Sequence, residues 1–323
     1  VTLNPASLTN PQGYKGWLSF IAHEYFHLFN VKAIRPIALG PFDYERENYT
    51  NMLWVSEGIT VYYEFILLNR AGLMTRDEVL ERLGSTIANY ENAPGRHYQP
   101  ATASSFDTWT NFFSRGEHSA NTTISYYDIG AGLGLLLDLK IREASKGRSS
   151  LNDVMRTLYG TFYKEKKRGF TDREFREACE RAAGVPLNEI FDAYAATVKE
   201  WDYARYLGFA GLTIDTEPGT APGPWFGAST QDQNGSPVVS SVEPDSPASL
   251  AGLSAQDEIV ALDGARVTQR SLAGTINSRK PGDKVKVLYA RRGAVRETEV
   301  TLGEKTERSF RITPLANPTP RQK

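Results

Sequence analysis

The chain has 323 residues, enough for two compact domains, and its 40% apolar and 23% charged residues are an ordinary globular balance. A formal net charge of −1 excludes broad electrostatic attraction to nucleic acid or to an anionic membrane surface. Apolar runs such as 132–137 stop far short of the ~20 residues that span a bilayer. The single cysteine, Cys179, excludes an internal disulfide and any multi-cysteine metal site.

The sequence opens Val-Thr-Leu-Asn-Pro, with no methionine and no charged-then-apolar leader. The numbering is therefore expected to begin inside a longer protein, with an upstream part missing. Compartment stays open, with a lean towards a periplasmic or secreted protein of bacterial type.

In chain order, the first part reads as helices joined by polar loops. Residues 14–30 carry Trp17, Phe20, Ile21, Glu24, His27 and Leu28 at three- and four-residue spacing, the pattern of a helix. Pro36, Gly40 and Pro41 mark a loop. Helices are predicted over 53–70 and 76–91, the second with Asp77 and Glu78 in its first turn. The stretch 94–124 reads mostly as loop, and 127–145, 151–164, 171–183 and 187–200 complete the helical set. Thr171 and Asp172 are candidate N-caps, and Gly184 followed by Pro186 ends one helix and starts another.

After residue 207 the texture changes. Pro218, Gly219, Pro222, Gly223 and Pro224 break the chain, and short β-prone runs follow at Phe226–Thr230, Val238–Val242, Glu258–Leu262, Val285–Ala290 and Glu297–Leu302. Two short helices, 246–251 and 270–278, interrupt them. Turns such as Asp263-Gly264 and Arg292-Gly293 point to a small β-barrel. The proline-bearing residues 305–323 read as a frayed tail.

His23-Glu24-Tyr25-Phe26-His27 is H-E-x-x-H on a predicted helix. Four residues are about one turn, so both imidazoles project from one face and can share a tetrahedral zinc. Glu24 lies on the same side and can take a proton from water that the metal has acidified. The pattern alone holds only three positions, and two histidines with a glutamate can also be a polar surface stripe. A catalytic zinc wants a third protein ligand. Trp54-Val55-Ser56-Glu57-Gly58 offers a carboxylate near the start of the next helix, and an antiparallel return of that helix would bring Glu57 to the metal. The bland alternative is a solvated first-turn acid, although Glu57 is flanked by Trp54, Val55, Ile59 and Val61.

Together these segments resemble the M61 glycyl aminopeptidase family, gluzincins related to the M1 aminopeptidases. HEYFHLFNVKAIRP (23–36) is similar to the family signature, WVSEGIT (54–60) to the segment supplying the glutamate ligand, and SYYDIG (125–130) to the tyrosine segment ahead of a glycine-rich helix. The resemblance implies zinc ligands His23, His27 and Glu57, Glu24 as base, and Tyr127 as donor to the oxyanion of the tetrahedral intermediate. Tyr126 is the neighbour with which Tyr127 could be confused, and both could simply pack the helix start. Ile129 stands where related sequences often have lysine. Asn30 is a candidate hydrogen-bonding neighbour of the ligands. His97 and His118 lack ligand partners at short spacing and read as surface or groove residues. Lys164–Arg168 reads as a solvated helix end.

Residues 224–264 resemble the carboxylate-binding loop of a PDZ domain and the segment after it, so a peptide C-terminus could add as a strand beside 226–230. The alternative is intramolecular docking of that domain. The expected architecture is thus a mainly helical, thermolysin-like catalytic part (1–206, its upstream β domain missing), a PDZ-like β-barrel (207–304) and a tail. The expected activity is zinc-dependent release of small N-terminal residues, glycine or alanine, from peptide substrates. A PDZ-bearing binding protein with an inert metal site, or a zinc endopeptidase, are the competing readings. No Gly-Gly-Leu-Glu-like motif, which the resemblance calls for as the anchor of the substrate's amino group, lies in residues 1–22.

Overall fold

Asn10 starts helix α1 (Pro11–Phe26): its side chain accepts from the Gly13 N–H at 2.7 Å, and Pro11 lacks an N–H that the first turn would leave unpaired. The computed structural model describes residues 8–319 and 322. The helix expected over 14–30 is corrected at its C-terminal end. After Phe26 the chain tightens into turns, with Leu28 N–H bonded to Tyr25 C=O and Phe29 N–H to Phe26 C=O. This departure frees the Asn30 carbonyl, which a continuing helix would have used in its own ladder.

The segment Trp54–Gly58 is a wide π-turn in which Ile59 N–H reaches back to the Trp54 carbonyl. It runs directly into α2 (Ile59–Arg70). Helix α3 (Arg76–Glu91) opens on a capping box between Thr75 and Glu78. The region expected as loop over 94–124 contains short helices: α4 (Ala101–Phe106), α5 (Thr108–Asn111) and α6 (Ser119–Thr122). Helix α7 (Tyr126–Ala144) is buried along most of its length and forms the axis of the helical part. Around it stand α8 (Leu151–Leu158), α9 (Asp172–Ala183) and α10 (Tyr203–Gly208). Thr171 caps α9 and Gly184 closes it in the left-handed conformation, as those residue types require. Lys164–Arg168 is not simply solvated: Arg168 forks onto Glu174 at 2.7 and 2.8 Å and lies over the Phe162 ring.

Strands β1 (Leu212–Asp215) and β2 (Pro218–Thr220) lead into the second part. There β3 (Ala228–Gln233), β4 (Ser236–Val242), β5 (Glu258–Leu262), β6 (Ala265–Arg266), β7 (Lys284–Arg291) and β8 (Ala294–Thr301) pair antiparallel in the order β3-β4-β5-β7-β8, with β6 beside β5. The two ends of this open order approach through a pair of backbone bonds between Trp225 and Gly303. Helices α11 (Pro247–Leu250) and α12 (Gln269–Asn277) cover a separate core that includes Val239, Ile259, Val287 and Val300.

The frayed tail expected over 305–323 is corrected for the residues described there; Pro320, Arg321 and Lys323 lie outside them. Strand β9 (Thr306–Arg308) pairs with β2, and β10 (Arg311–Pro314) pairs with β1. Phe310 is completely buried and Ile312 nearly so, both in the core of the helical part. The prolines misled because Pro314 closes a strand instead of breaking one, and Phe310 and Ile312 ahead of it are the apolar anchors. The chains entering and leaving the sheet domain are therefore zipped together and return to α3.

Candidate metal centre

His23 and His27 lie one turn apart on α1, and the π-turn carries Glu57 against them. His23 Nε2 and His27 Nε2 are 3.1 Å apart, and each is 3.2 Å from Glu57 Oε2. These ligand atoms form one cluster. Donors bound tetrahedrally at zinc–nitrogen and zinc–oxygen lengths sit about 3.3 Å from one another, so the spacing is that of three ligands around one ion.

The other ring nitrogens decide which lone pairs face inward. His23 Nδ1 lies 3.1 Å from Glu64 Oε2, and His27 Nδ1 lies 2.7 Å from the Asn30 carbonyl oxygen. Both partners are acceptors, so each Nδ1 carries the proton and each Nε2 turns a lone pair into the centre. Two lone pairs and a carboxylate oxygen at such distances repel unless a cation lies among them. In the metal-free chain a proton serves. Burial disfavours the His23 imidazolium, but the Glu57 and Glu64 carboxylates outweigh it and hold its pKa at about 9. Burial also opposes charge on Glu57, and the two histidines outweigh that and hold it down at about 2. His27 is raised as well, against burial, chiefly by Glu57.

A ring of contacts fixes the ligands. Ser19 Oγ donates to Glu64 Oε1 at 2.7 Å, fixing the carboxylate that orients His23. The Asn30 amide donates to the carbonyls of Val55 and Ser56 at 3.0 and 3.1 Å, and lies 3.0 Å from Thr60 Oγ1. Asn30 thus grips the π-turn with its side chain and His27 with its backbone, as its place in the signature had suggested. Glu64 and Ser19 were missed in the sequence. An acid seven residues after Glu57, set in the apolar run ITVYYEFILL, was the available signal, because buried acids need partners.

Glu24 is exposed and lines the same cleft of about 720 Å³ as the ligands, with no hydrogen bond to any described residue. Tyr127 also lines it, with its ring centroid 6.0 Å from that of His23. Burial and the nearby Glu57 carboxylate push the Tyr127 hydroxyl well above its ordinary value, so it stays a proton donor. Tyr126 instead stacks beneath Tyr127 at 4.9 Å, nearly inaccessible, with its hydroxyl 3.3 Å from Thr108 Oγ1. Ile129 is fully buried, so the departure from lysine falls in the core. His97 and His118 are both exposed and do not line the cleft.

In the second part, β3 is an edge strand, and a groove of about 270 Å³ runs between it and α12, bordered by Trp225, Gly227, Leu272 and Ile276. Gln269 reaches across one end and donates to the Thr230 carbonyl at 3.3 Å.

The helical part thus carries a His23, His27 and Glu57 cluster that could hold a metal ion, and it is joined to a sheet domain with an open edge. Residues 16–133 match the family model of the M61 glycyl aminopeptidases, and residues 224–302 match a PDZ domain. Both matches agree with the resemblance read from the sequence. A solved aminopeptidase N family protein from Idiomarina loihiensis superposes with a TM-score of 0.80 at 28% identity, covering 100% of this chain and 55% of that one. The chain thus spans about half the length of that structure. A serine endoprotease from Yersinia pestis (23% identity, TM-score 0.23) covers 25% of this chain and 29% of its own, a likeness too slight to carry a conclusion. No curated protein matches the chain. Among the described residues no helix is long and apolar enough to cross a membrane.

Proposed function

We propose that this chain holds the zinc centre of a peptidase that releases small N-terminal residues, glycine or alanine, from peptides. The observation that carries the reading is the mutual 3.1–3.2 Å spacing of His23 Nε2, His27 Nε2 and Glu57 Oε2, with both Nδ1 atoms already engaged. A zinc ion in that position supplies a Lewis acid for the scissile carbonyl and for water. Glu24, free of other partners, takes the proton from the attacking water and delivers it to the leaving amine. The Tyr127 hydroxyl donates to the oxygen that gains negative charge. His23, His27 and Glu57 keep their orientation through Glu64, Ser19 and Asn30, so little reorganisation accompanies the chemistry.

The family match and the aminopeptidase N family structure support the exopeptidase half of the reading. A thermolysin-like arrangement of the helical part belongs to the same proposal. Among the described residues the carboxylates lining the cleft are Glu24, Glu57 and Glu64, and each already has a task. An anchor for the substrate's amino group must therefore come from other residues.

The test pairs elemental analysis of the purified protein with hydrolysis of glycyl and alanyl arylamides. Stoichiometric zinc, and turnover that Glu24→Gln removes, support the reading; absence of zinc or an unaffected Glu24→Gln variant sinks it. Peptides with free and acetylated N-termini separate aminopeptidase from endopeptidase. For the PDZ domain we propose strand addition of an extended peptide at the free edge of β3, with Gln269 giving up Thr230 to admit it.

A further inference from the structure

Arg82 is the only lysine or arginine among the described residues that line the metal cleft. Its guanidinium forms no hydrogen bond, ion pair or ring contact with any described residue, whereas many other arginines of this chain, such as Arg96, Arg168 and Arg176, are paired with carboxylates or lie over rings. Glu57 and Glu64 are tied into the histidine network, and Glu24, the remaining carboxylate of the cleft, forms no ion pair with Arg82 among the described residues.

Its position along the cleft follows from helix geometry. Thr86 and Asn89 of α3 line the same wall, and Asn89 hydrogen-bonds Asp128, the neighbour of Tyr127. Seven residues separate Arg82 from Asn89, a rise of roughly 10 Å along α3. An extended peptide advances about 3.3–3.6 Å per residue, so that span corresponds to about three residues.

We propose that Arg82 docks a substrate carboxylate lying about three residues beyond the scissile bond, so that the site favours short peptides with a free C-terminus. This rests on the zinc-peptidase reading. A guanidinium is the wrong sign for a substrate's α-ammonium group and the right shape for a carboxylate, which it can hold through two parallel N–H donors. The same reach would serve an acidic side chain at that position in a longer peptide. The cleft thereby measures its substrate from the metal at one end to a charge at the other.

The experiment compares Gly-Ala-Ala-Ala with its C-terminal amide on wild-type protein, Arg82→Met and Arg82→Lys, using the full zinc-loaded chain. For wild type the free acid should show a KM about tenfold below that of the amide, with similar kcat. Arg82→Met should erase that ratio, and Arg82→Lys should keep part of it. Added salt should weaken the preference. Equal KM for acid and amide in wild type overturns the proposal, as does a preference for the acid that survives Arg82→Met. Should hydrolysis of both peptides be absent, the peptidase reading fails on its own. Calorimetric binding of the two peptides to zinc-loaded Glu24→Gln, with and without Arg82→Met, then decides the carboxylate site by the same ratio. Circular dichroism melts of Arg82→Met guard against a folding defect.

Discussion

Gly58 and Gly130 pack backbone against backbone: a Cβ added to Gly130 would meet Gly58 Cα at 2.8 Å and Trp54 Cα at 2.9 Å. Nothing but hydrogen fits between the π-turn and α7 there. Glu57 immediately precedes one glycine and Tyr127 lies three residues before the other, so this contact sets the distance between the ligand and the proposed oxyanion donor. Gly130→Ala has only backbone to push against and should cost about 1–3 kcal/mol. Zinc affinity and turnover should fall with it, read from chelator competition and from arylamide kinetics. An alanine variant with native melting temperature and native zinc affinity would disprove the role.

Glu64 touches no substrate in this reading, yet it fixes the tautomer of His23. Glu64→Gln should reduce zinc affinity or activity by about 10- to 100-fold, the usual cost of losing a ligand's supporting partner. Titration against a fluorescent chelator measures it. Ser19→Ala, which only loosens Glu64, should have a smaller effect of the same sign.

Glu24 should behave in the opposite way. It is exposed and unpartnered, so Glu24→Gln should leave zinc content unchanged and stability within about 0.5 kcal/mol. Turnover should fall by about 10²–10⁴-fold through loss of the general base. Loss of zinc from this variant would mean that Glu24 belongs among the ligands.

The metal-free centre makes a pH prediction. His23 is raised from 6.5 to about 9 by Glu57 and Glu64 against the effect of burial, so its contribution to stability is full below about 6.5 and is lost as pH rises through about 9. Glu57 is lowered from 4.5 to about 2 by the histidines, again against burial, so its contribution is present above about 4.5 and is lost as pH falls through about 2. The cluster therefore stabilises the metal-free chain most between about 4.5 and 6.5. Zinc requires neutral histidines, and its stabilisation should grow with pH. Melting temperatures of chelated and zinc-loaded protein should diverge as pH rises through the upper window; curves that stay parallel would count against a histidine-held metal.

Phe310 offers a test of the C-terminal strands. It is fully buried beside Tyr203, and its carbonyl oxygen lies against Gly84 of α3. Phe310→Ala should destabilise the helical part by about 3–5 kcal/mol. Hydrogen exchange should report the loss in α3 and α7 rather than in β7 and β8. A frayed tail would give no measurable change.

Local pattern carried much of this protein. H-E-x-x-H, the position of Glu57, the capping of α9 and the runs that became β4, β5 and β7 depend on spacing and turn chemistry within a few residues, which a sequence displays directly. The break after Phe26 was not visible, because the apolar period continues through Leu28 while the Asn30 carbonyl is diverted to His27. The burial of Phe310 was hidden as well, since its partners Tyr203 and Gly84 stand about a hundred residues or more away in the chain.

The amino-acid sequence by itself determined the donor set, the helical period that puts His23 and His27 on one face, and the resemblance to a glycyl aminopeptidase joined to a PDZ domain. Tertiary structure alone decided how those donors meet. It brought Glu57 to within 3.2 Å of both imidazoles, put Glu64 behind His23, turned Tyr127 rather than Tyr126 towards the cleft, and left Arg82 unpaired along its wall. The reason is physical: a ligand's residue type is local, but the direction of its lone pair depends on packing between α1, α2, α3 and α7, which no short window of sequence contains.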